Sequence, residues 1–163
     1  MHSGPRSAAA LRLLLVLVVG ALGAPARGDD AAPLREKTAV TIRDQRLVAE
    51  VARTADEHRR GLGGRDGLAP GTGMVFPYTE ARRHAFWMKD MRFDIDIVWI
   101  RNGRIVDLSR FVPAPRAGTS LVGALPTFEP KEPADTVLEV VAGTVNARGW
   151  QVGDAVAFDP AIH

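Results

Sequence analysis

Short runs of strand-forming residues, separated by strong turn signals, occupy most of this chain and constrain its fold. The most strand-like run is Ile95 to Ile100, and Asn102-Gly103 after it is a strong signal for a two-residue hairpin turn. Arg104 to Val112 then predicts the returning strand, and Thr38 to Arg43 with Leu47 to Ala52 predicts an earlier hairpin. No strand is followed by a long crossover helix, so we do not expect a parallel α/β sheet.

The remaining segments complete a predicted domain that is mainly β. Further strands are expected at Met74 to Phe76, His84 to Met88, Thr136 to Val141 and Val156 to Phe158. One short helix is expected from Thr54 to about Leu62, because Thr54-Ala55-Asp56-Glu57 matches a capping box and glycines follow. Ala142 to Arg148 predicts a helical turn closed by Gly149. Together these elements predict a compact antiparallel, barrel-like β domain with one short helix after the first hairpin.

The N-terminus predicts a secretory signal peptide over residues 1–26. Arg6 and Arg12 form a positive region, Leu13 to Leu22 is apolar, and Ala24-Pro25-Ala26 resembles a cleavage site. This apolar run is about half of the roughly 20 residues that a membrane-spanning helix needs. We therefore expect export to the periplasm or the cell exterior, with no membrane span after cleavage near Ala26. A retained N-terminal anchor is the alternative.

The charge balance after cleavage argues against a nucleic-acid partner. The chain has 21 Lys and Arg against 19 Asp and Glu, and the signal removes Arg6 and Arg12, so 21 − 2 leaves 19 of each sign. A formally neutral protein does not have the electrostatic footprint of a nucleic-acid-binding domain. We expect residues 27–37 to form a flexible, polar lead-in and residues 38–163 to form a single domain.

The residue types exclude several kinds of site. The chain has no cysteine, so disulfides, thiolate metal ligands and a cysteine nucleophile are excluded. His58, His84 and His163 show no close ligand spacing, so neither a metal site nor a cofactor is expected. Ser109 and Ser120 lie outside any G-x-S-x-G motif, which disfavours a hydrolase with a nucleophile elbow.

The segment from Met74 to Ile100 is where we expect a site, because it combines most of the aromatic residues with charged ones. Trp87 and Lys89 are two residues apart, so on a strand they share one face. An aromatic platform beside an ammonium group suits a sugar ring or a small anionic ligand. The alternative is a core tryptophan with a lysine that extends to solvent.

Asp96 interrupts an apolar strand between Ile95 and Ile97. A buried carboxylate needs a cation or several N–H donors, and we expect Lys89 and Arg65 as its partners. Asp96 is also the one candidate for catalysis, with Lys89 or Arg65 stabilising developing negative charge in a hydrolase. A structural carboxylate that holds an ion pair or a turn is the alternative interpretation.

Several sequence blocks resemble a known family. They are Arg60-Gly61-Leu62, Phe86-Trp87-Met88-Lys89, Ile95-Asp96-Ile97, Val137-Leu138-Glu139 and Gly153-Asp154. From about Ala49 to Phe158 the chain resembles the DUF192 family, small bacterial and archaeal domains that are often exported. The resemblance implies a compact β-rich fold and no agreed activity. Gly63, Asp90 and Asp94 stand where the family usually has Met, Asn and Pro.

The leading functional hypothesis is a non-catalytic binding module for a small polar or carbohydrate-like ligand of the cell envelope. Its expected ligand-binding residues are Arg65, Trp87, Lys89 and Asp96. Two alternatives remain open. One is a hydrolase that uses Asp96, and the other is a protein-interaction domain whose loop from Pro113 to Pro133 docks a partner.

Overall fold

The computed structural model describes residue 1, residues 36–115 and residues 126–163. In these residues the chain forms nine strands and two short helices. In order they are β1 (Lys37–Ile42), β2 (Gln45–Val51), α1 (Ala55–Arg60), β3 (Thr72–Arg82), β4 (Phe86–Trp87), β5 (Ile95–Arg101), β6 (Arg104–Val112), β7 (Thr127–Phe128), β8 (Ala134–Val141), α2 (Thr144–Arg148) and β9 (Val156–Asp159).

Seven of these strands form one curled sheet in the order β6-β5-β8-β3-β2-β1-β9, and β4 pairs with β7 in a separate ribbon. The sheet has the form of a half-barrel. The beginning of β6 meets the residues before β9: the amide of Ile105 donates to the carbonyl of Asp154 at 3.0 Å, and that of Val156 to Gly103 at 2.8 Å. The predicted mainly β, barrel-like domain is therefore confirmed.

One strand pair departs from the prediction, because β2 and β3 run parallel. The other neighbours in the large sheet are antiparallel. The prediction required a long crossover helix for any parallel pair. Here the short helix α1 and an irregular segment together span residues 52–71, which is long enough to return the chain to the same end of the sheet.

Both predicted helical segments form, and α1 begins at the predicted capping box. The amide of Glu57 donates to the Thr54 side chain at 3.2 Å, and the Thr54 amide donates to the Glu57 carboxylate at 2.8 Å, which completes the capping box. At the other end, Gly61 has a φ of 49° and stops the helix after Arg60. The predicted helical turn closed by Gly149 is the short helix α2.

The central strands β5 and β8 are buried on both faces of the sheet, and each face covers its own apolar cluster. Along β5, Val98 and Ile100 belong to one cluster, whereas Ile97 and Trp99 belong to the other. Alternate residues of a strand point to opposite faces, so a strand buried on both faces reads as a continuous apolar run. This explains why β5 is the most strand-like run of the sequence. It also means that a charged residue within β5 must have a partner.

Two predicted regions fall largely outside the described residues. The signal peptide and nearly all of the lead-in lie there, so they stay predictions. Among the residues that the structure does describe, no helix combines the length and apolar character needed to cross a bilayer. Of the predicted excursion from Pro113 to Pro133, only residues 113–115 and 126–133 are described, and they include β7.

Candidate functional site

An open cleft of about 830 Å³ lies between α1 and the residues that follow β4. Trp87, four cationic side chains and two acidic ones line it. The cations are Arg59, Arg60, Lys89 and Arg92, and the acids are Asp56 and Asp90. The cleft thus combines an aromatic surface with an excess of positive charge.

Close backbone contact between its two walls shapes this cleft. The amide of Gly64 donates to the carbonyl of Asp90 at 2.8 Å. A Cβ atom on Gly63 would lie 2.9 Å from the Arg60 carbonyl oxygen and 3.2 Å from that of Lys89. Both obstacles are backbone atoms, so only glycine lets the end of α1 approach the Lys89–Asp90 turn this closely.

Trp87 and Lys89 meet at the mouth of the cleft. The Trp87 side chain is 49% exposed, so it is not a core residue. The Lys89 ammonium lies 5.8 Å from the centroid of the Trp87 ring, within the range of a cation–π contact. The structure therefore places an accessible aromatic face directly beside a cation.

Two of the four cations have no carboxylate partner among the described residues. Arg59 pairs with Asp56, and Arg92 pairs with Asp66 at 2.7 Å. Arg60 and Lys89 form no ion pair within the described part of the chain. Their charges are therefore available to an anionic group in the cleft.

Asp96 is fully buried and does not reach the cleft. One carboxylate oxygen accepts from the amide of Phe111 at 2.8 Å, and the other accepts from the amide of Val145 at 2.9 Å. Phe111 lies at an irregular point of β6 with a φ of 53°, and Val145 lies in the first turn of α2, whose N-cap residue provides no side-chain cap. Asp96 therefore holds a strained strand and caps a helix.

These contacts correct two expectations. The expected partners of Asp96, Lys89 and Arg65, do not pair with it, because backbone amides occupy both of its carboxylate oxygens. A hydrolase that uses Asp96 needs an accessible carboxylate, and this one is sealed inside. The structural interpretation of Asp96 is the one that the geometry supports.

Arg65 lies in a different depression, beside Glu50 and the residues that precede β3. Its guanidinium donates to both oxygens of the Glu50 carboxylate, at 2.8 and 2.7 Å. This bidentate pairing raises the pKa of Arg65. Of the four predicted ligand-binding residues, the structure brings only Trp87 and Lys89 together.

Glu139 is a buried carboxyl group that the sequence analysis did not single out. It lies on β8, is 6% exposed, and its Oε2 has no hydrogen-bond partner among the described residues. Burial raises the pKa of Glu139 to about 8. The signal was available in the sequence, because Glu139 interrupts an apolar strand in the same way as Asp96 does.

A small, partly open pocket of about 30 Å³, which we call the inner cavity, adjoins the cleft and is lined by Glu139. Phe76 and Phe86 line it and pack edge to face with their ring centroids 5.2 Å apart. Five residues line both the inner cavity and the cleft, so the two spaces share a wall. They are Arg59, Arg60, Trp87, Lys89 and Met91.

Aromatic side chains surround the same region. Burial, followed by the negative charge of Glu139, raises the pKa of Tyr78 to about 12. His84 stacks on Tyr78 with the ring centroids 3.6 Å apart, and burial lowers the pKa of His84. His58 contacts Phe76 edge-on at 5.6 Å and hydrogen-bonds the carbonyl of Ala52 at 2.9 Å. Within the described residues, no group of three or more acidic or histidine side chains is arranged to hold a metal ion.

Comparison with known proteins places the chain in a family. A model of the DUF192 family, whose description is "Uncharacterized ACR", matches residues 38–158. A search of curated proteins found no significant match.

Two solved structures share the fold. One is a proposed transcription regulator from Sinorhizobium meliloti, 26% identical, with a TM-score of 0.69 over 78% of this chain and 97% of that one. The other is a protein of unknown function from Novosphingobium aromaticivorans, 25% identical, with a TM-score of 0.63 over 74% of this chain and 83% of that one. Since the family model spans most of the sequence, this chain belongs to the DUF192 family, whose function is unknown.

Proposed function

We propose that this protein is an exported, non-catalytic binding module for a small polar, carbohydrate-like ligand that carries an anionic group. The observation that carries the proposal is the half-exposed ring of Trp87 beside Lys89 at the mouth of the cleft. Export rests on the N-terminal sequence pattern alone.

The size and surface of the cleft support a small ligand. Its volume of about 830 Å³ falls within the range of about 300–1,000 Å³ that is usual for small-molecule sites. The face of an exposed tryptophan provides a rigid apolar platform, and the C–H face of a sugar ring can stack on it. A tryptophan that served only the core would not present half of its surface to solvent.

The charges of the cleft support an anionic substituent on that ligand. Arg60 and Lys89 have no carboxylate partner among the described residues, and both line the cleft. Hydrogen bonds between a cation and a carboxylate are stronger than those between neutral groups. A ring that stacks on Trp87 would bring its carboxylate within reach of both cations.

Neither of the alternative functions gains comparable support. The hydrolase hypothesis loses its catalytic group, because Asp96 is buried and held by amides. The interaction hypothesis concerns a loop of which residues 116–125 lie outside the described part. The proposed regulatory role of the Sinorhizobium protein belongs to that protein. The neutral charge of residues 27–163 does not favour nucleic-acid binding here.

Fluorescence of the purified protein tests this proposal. Trp99 and Trp150 are buried, so acrylamide quenching reports mainly on Trp87. We expect D-glucuronate to protect Trp87 from acrylamide in a saturable manner, and D-glucose, which lacks the carboxylate, to protect it less. Lys89→Met should weaken glucuronate binding about five-fold or more.

Lys131→Met is the matched control, because Lys131 is exposed and does not line the cleft. Its binding should equal that of the wild type. The proposal is wrong if glucuronate gives no saturable protection, or if both lysine variants lose affinity equally.

A further inference from the structure

We propose that Glu139 is the inner binding residue of this cleft, and that its carboxyl group hydrogen-bonds a ring hydroxyl of the ligand that enters the small inner cavity. The inference rests on the proposed function and narrows the ligand to a hydroxylated ring acid, of which hexuronic acids are the simplest class. Glu139 would thus contact a hydroxyl of the ring while Arg60 and Lys89 contact its carboxylate.

The first observation is an unsatisfied polar group. Oε2 of Glu139 is buried and has no hydrogen-bond partner among the described residues. A buried polar atom without a partner is unfavourable, and native proteins rarely keep one unless solvent or a ligand provides the partner. Glu139 also lines the inner cavity, so that cavity lies beside its carboxyl group, and a ligand group reaches the shielded Oε2 once the cavity wall moves to admit it.

The second observation is the size and position of the inner cavity. Its volume of about 30 Å³ has room for a small polar group such as a hydroxyl. Trp87 and Lys89 line both the cleft and the inner cavity, so a ring stacked on Trp87 lies next to the entrance.

The third observation concerns charge and selects a hydroxyl over an ammonium group. The walls of the inner cavity include Arg59, Arg60 and Lys89, whose positive charges repel an ammonium ion. Burial also favours the neutral form of Glu139 near neutral pH, so it provides little countercharge. A hydroxyl both donates and accepts hydrogen bonds, so it can pair with the carboxyl group in either protonation state.

Two ligands of equal charge distinguish the contact with Glu139 from the other contacts in the cleft. D-glucuronate carries ring hydroxyls, whereas cyclohexanecarboxylate has a ring and a carboxylate but no hydroxyl. Both are titrated against the wild type, Glu139→Met and Glu139→Gln by protection of Trp87 from acrylamide. Glutamine keeps a hydrogen-bonding group at the same place, and methionine replaces it with an apolar chain of similar length.

We expect the wild type to prefer glucuronate by about ten-fold, as for one or two hydrogen bonds in a buried site. Glu139→Gln should keep most of this preference. Glu139→Met should lose it by weakening glucuronate binding while leaving cyclohexanecarboxylate binding unchanged. Thermal unfolding of each variant verifies that it is folded.

The outcomes distinguish the two proposals. If both ligands bind the wild type and Glu139→Met keeps the same preference, Glu139 is not a binding residue, although the cleft is a site. If neither ligand protects Trp87, the proposed function fails and this inference fails with it.

Discussion

Two buried carboxyl groups lie on neighbouring strands of this sheet, and their surroundings differ. Asp96 of β5 pairs in register with Val140, and Glu139 of β8 pairs with Ile97. Since neighbours along a strand point to opposite faces, the two carboxyl groups point away from each other. Asp96 accepts two backbone amides, whereas Oε2 of Glu139 has no partner among the described residues.

The difference shows which buried charge marks a site. Asp96 lies where an irregular point of β6 and the first turn of α2 present free amides, so its charge stabilises the fold. Glu139 faces aromatic rings and a small cavity instead. A buried carboxyl group that the backbone satisfies is structural, and one that it leaves unsatisfied is the better candidate for a ligand contact.

Replacing Asp96 tests the structural half of this comparison and should have the largest effect. Asp96→Ala removes two hydrogen bonds to a charged acceptor and leaves two amides without partners, so we expect a loss of about 5 kcal/mol in the free energy of unfolding. Urea denaturation measures it. A loss below about 1 kcal/mol would contradict the role assigned to Asp96.

Replacing Glu139 should instead raise the free energy of unfolding relative to that of the wild type as the pH rises. Burial raises the pKa of Glu139 from 4.5 to about 8 in the folded state, so its contribution is fully present below pH 4.5 and is lost as the pH rises through about 8. Glu139→Gln does not titrate. Its free energy of unfolding relative to the wild type should therefore rise between pH 4 and pH 9, by on the order of 4 kcal/mol.

The difference between the two proteins isolates Glu139. His84 also has a shifted pKa, but it titrates in both, so its contribution cancels. Urea titrations at several pH values provide the profile. A difference that does not change with pH would show that Glu139 is solvated or paired in solution.

Replacing Gly63 tests whether the ligand cleft beside Glu139 depends on close contact between its two walls. A Cβ atom there would lie 2.9 Å from the Arg60 carbonyl oxygen, so Gly63→Ala should cost about 2 kcal/mol and weaken glucuronate binding. Gly67→Ala is the control, because a Cβ atom on Gly67 would meet nothing within 4 Å. Thermal unfolding and the acrylamide assay compare the two, and equal behaviour would contradict the contact.

Replacing Asp90 should give the smallest effect. It tests whether the charge of the cleft favours an anionic ligand. The φ of 59° at Asp90 lies in the left-handed region, which asparagine tolerates at least as well, so Asp90→Asn should change stability by less than about 0.5 kcal/mol. The substitution removes one negative charge from the cleft wall. Glucuronate affinity should rise about two-fold while glucose affinity stays constant. A decrease in glucuronate affinity would argue against an anionic ligand.

The sequence predicted much of the fold because the relevant signals are local. The strand Arg104–Val112 has the predicted bounds, the Asn102-Gly103 turn joins it to β5, and the capping box starts α1. The parallel pairing of β2 with β3 was missed, because its crossover is mostly irregular chain with no repeating pattern.

For the site, the sequence alone predicted that Trp87 and Lys89 are neighbours, and they are, although Lys89 lies in the turn after β4 and not on the strand that the prediction assumed. It also determined that a charge within an apolar strand needs a partner. Only the tertiary structure decided which partner each charge has. Asp96 takes amides that lie 15 and 49 residues away, and Arg65 takes Glu50, 15 residues away. Every residue but proline has such an amide, so composition and spacing do not reveal which one the fold will bring to a buried carboxylate.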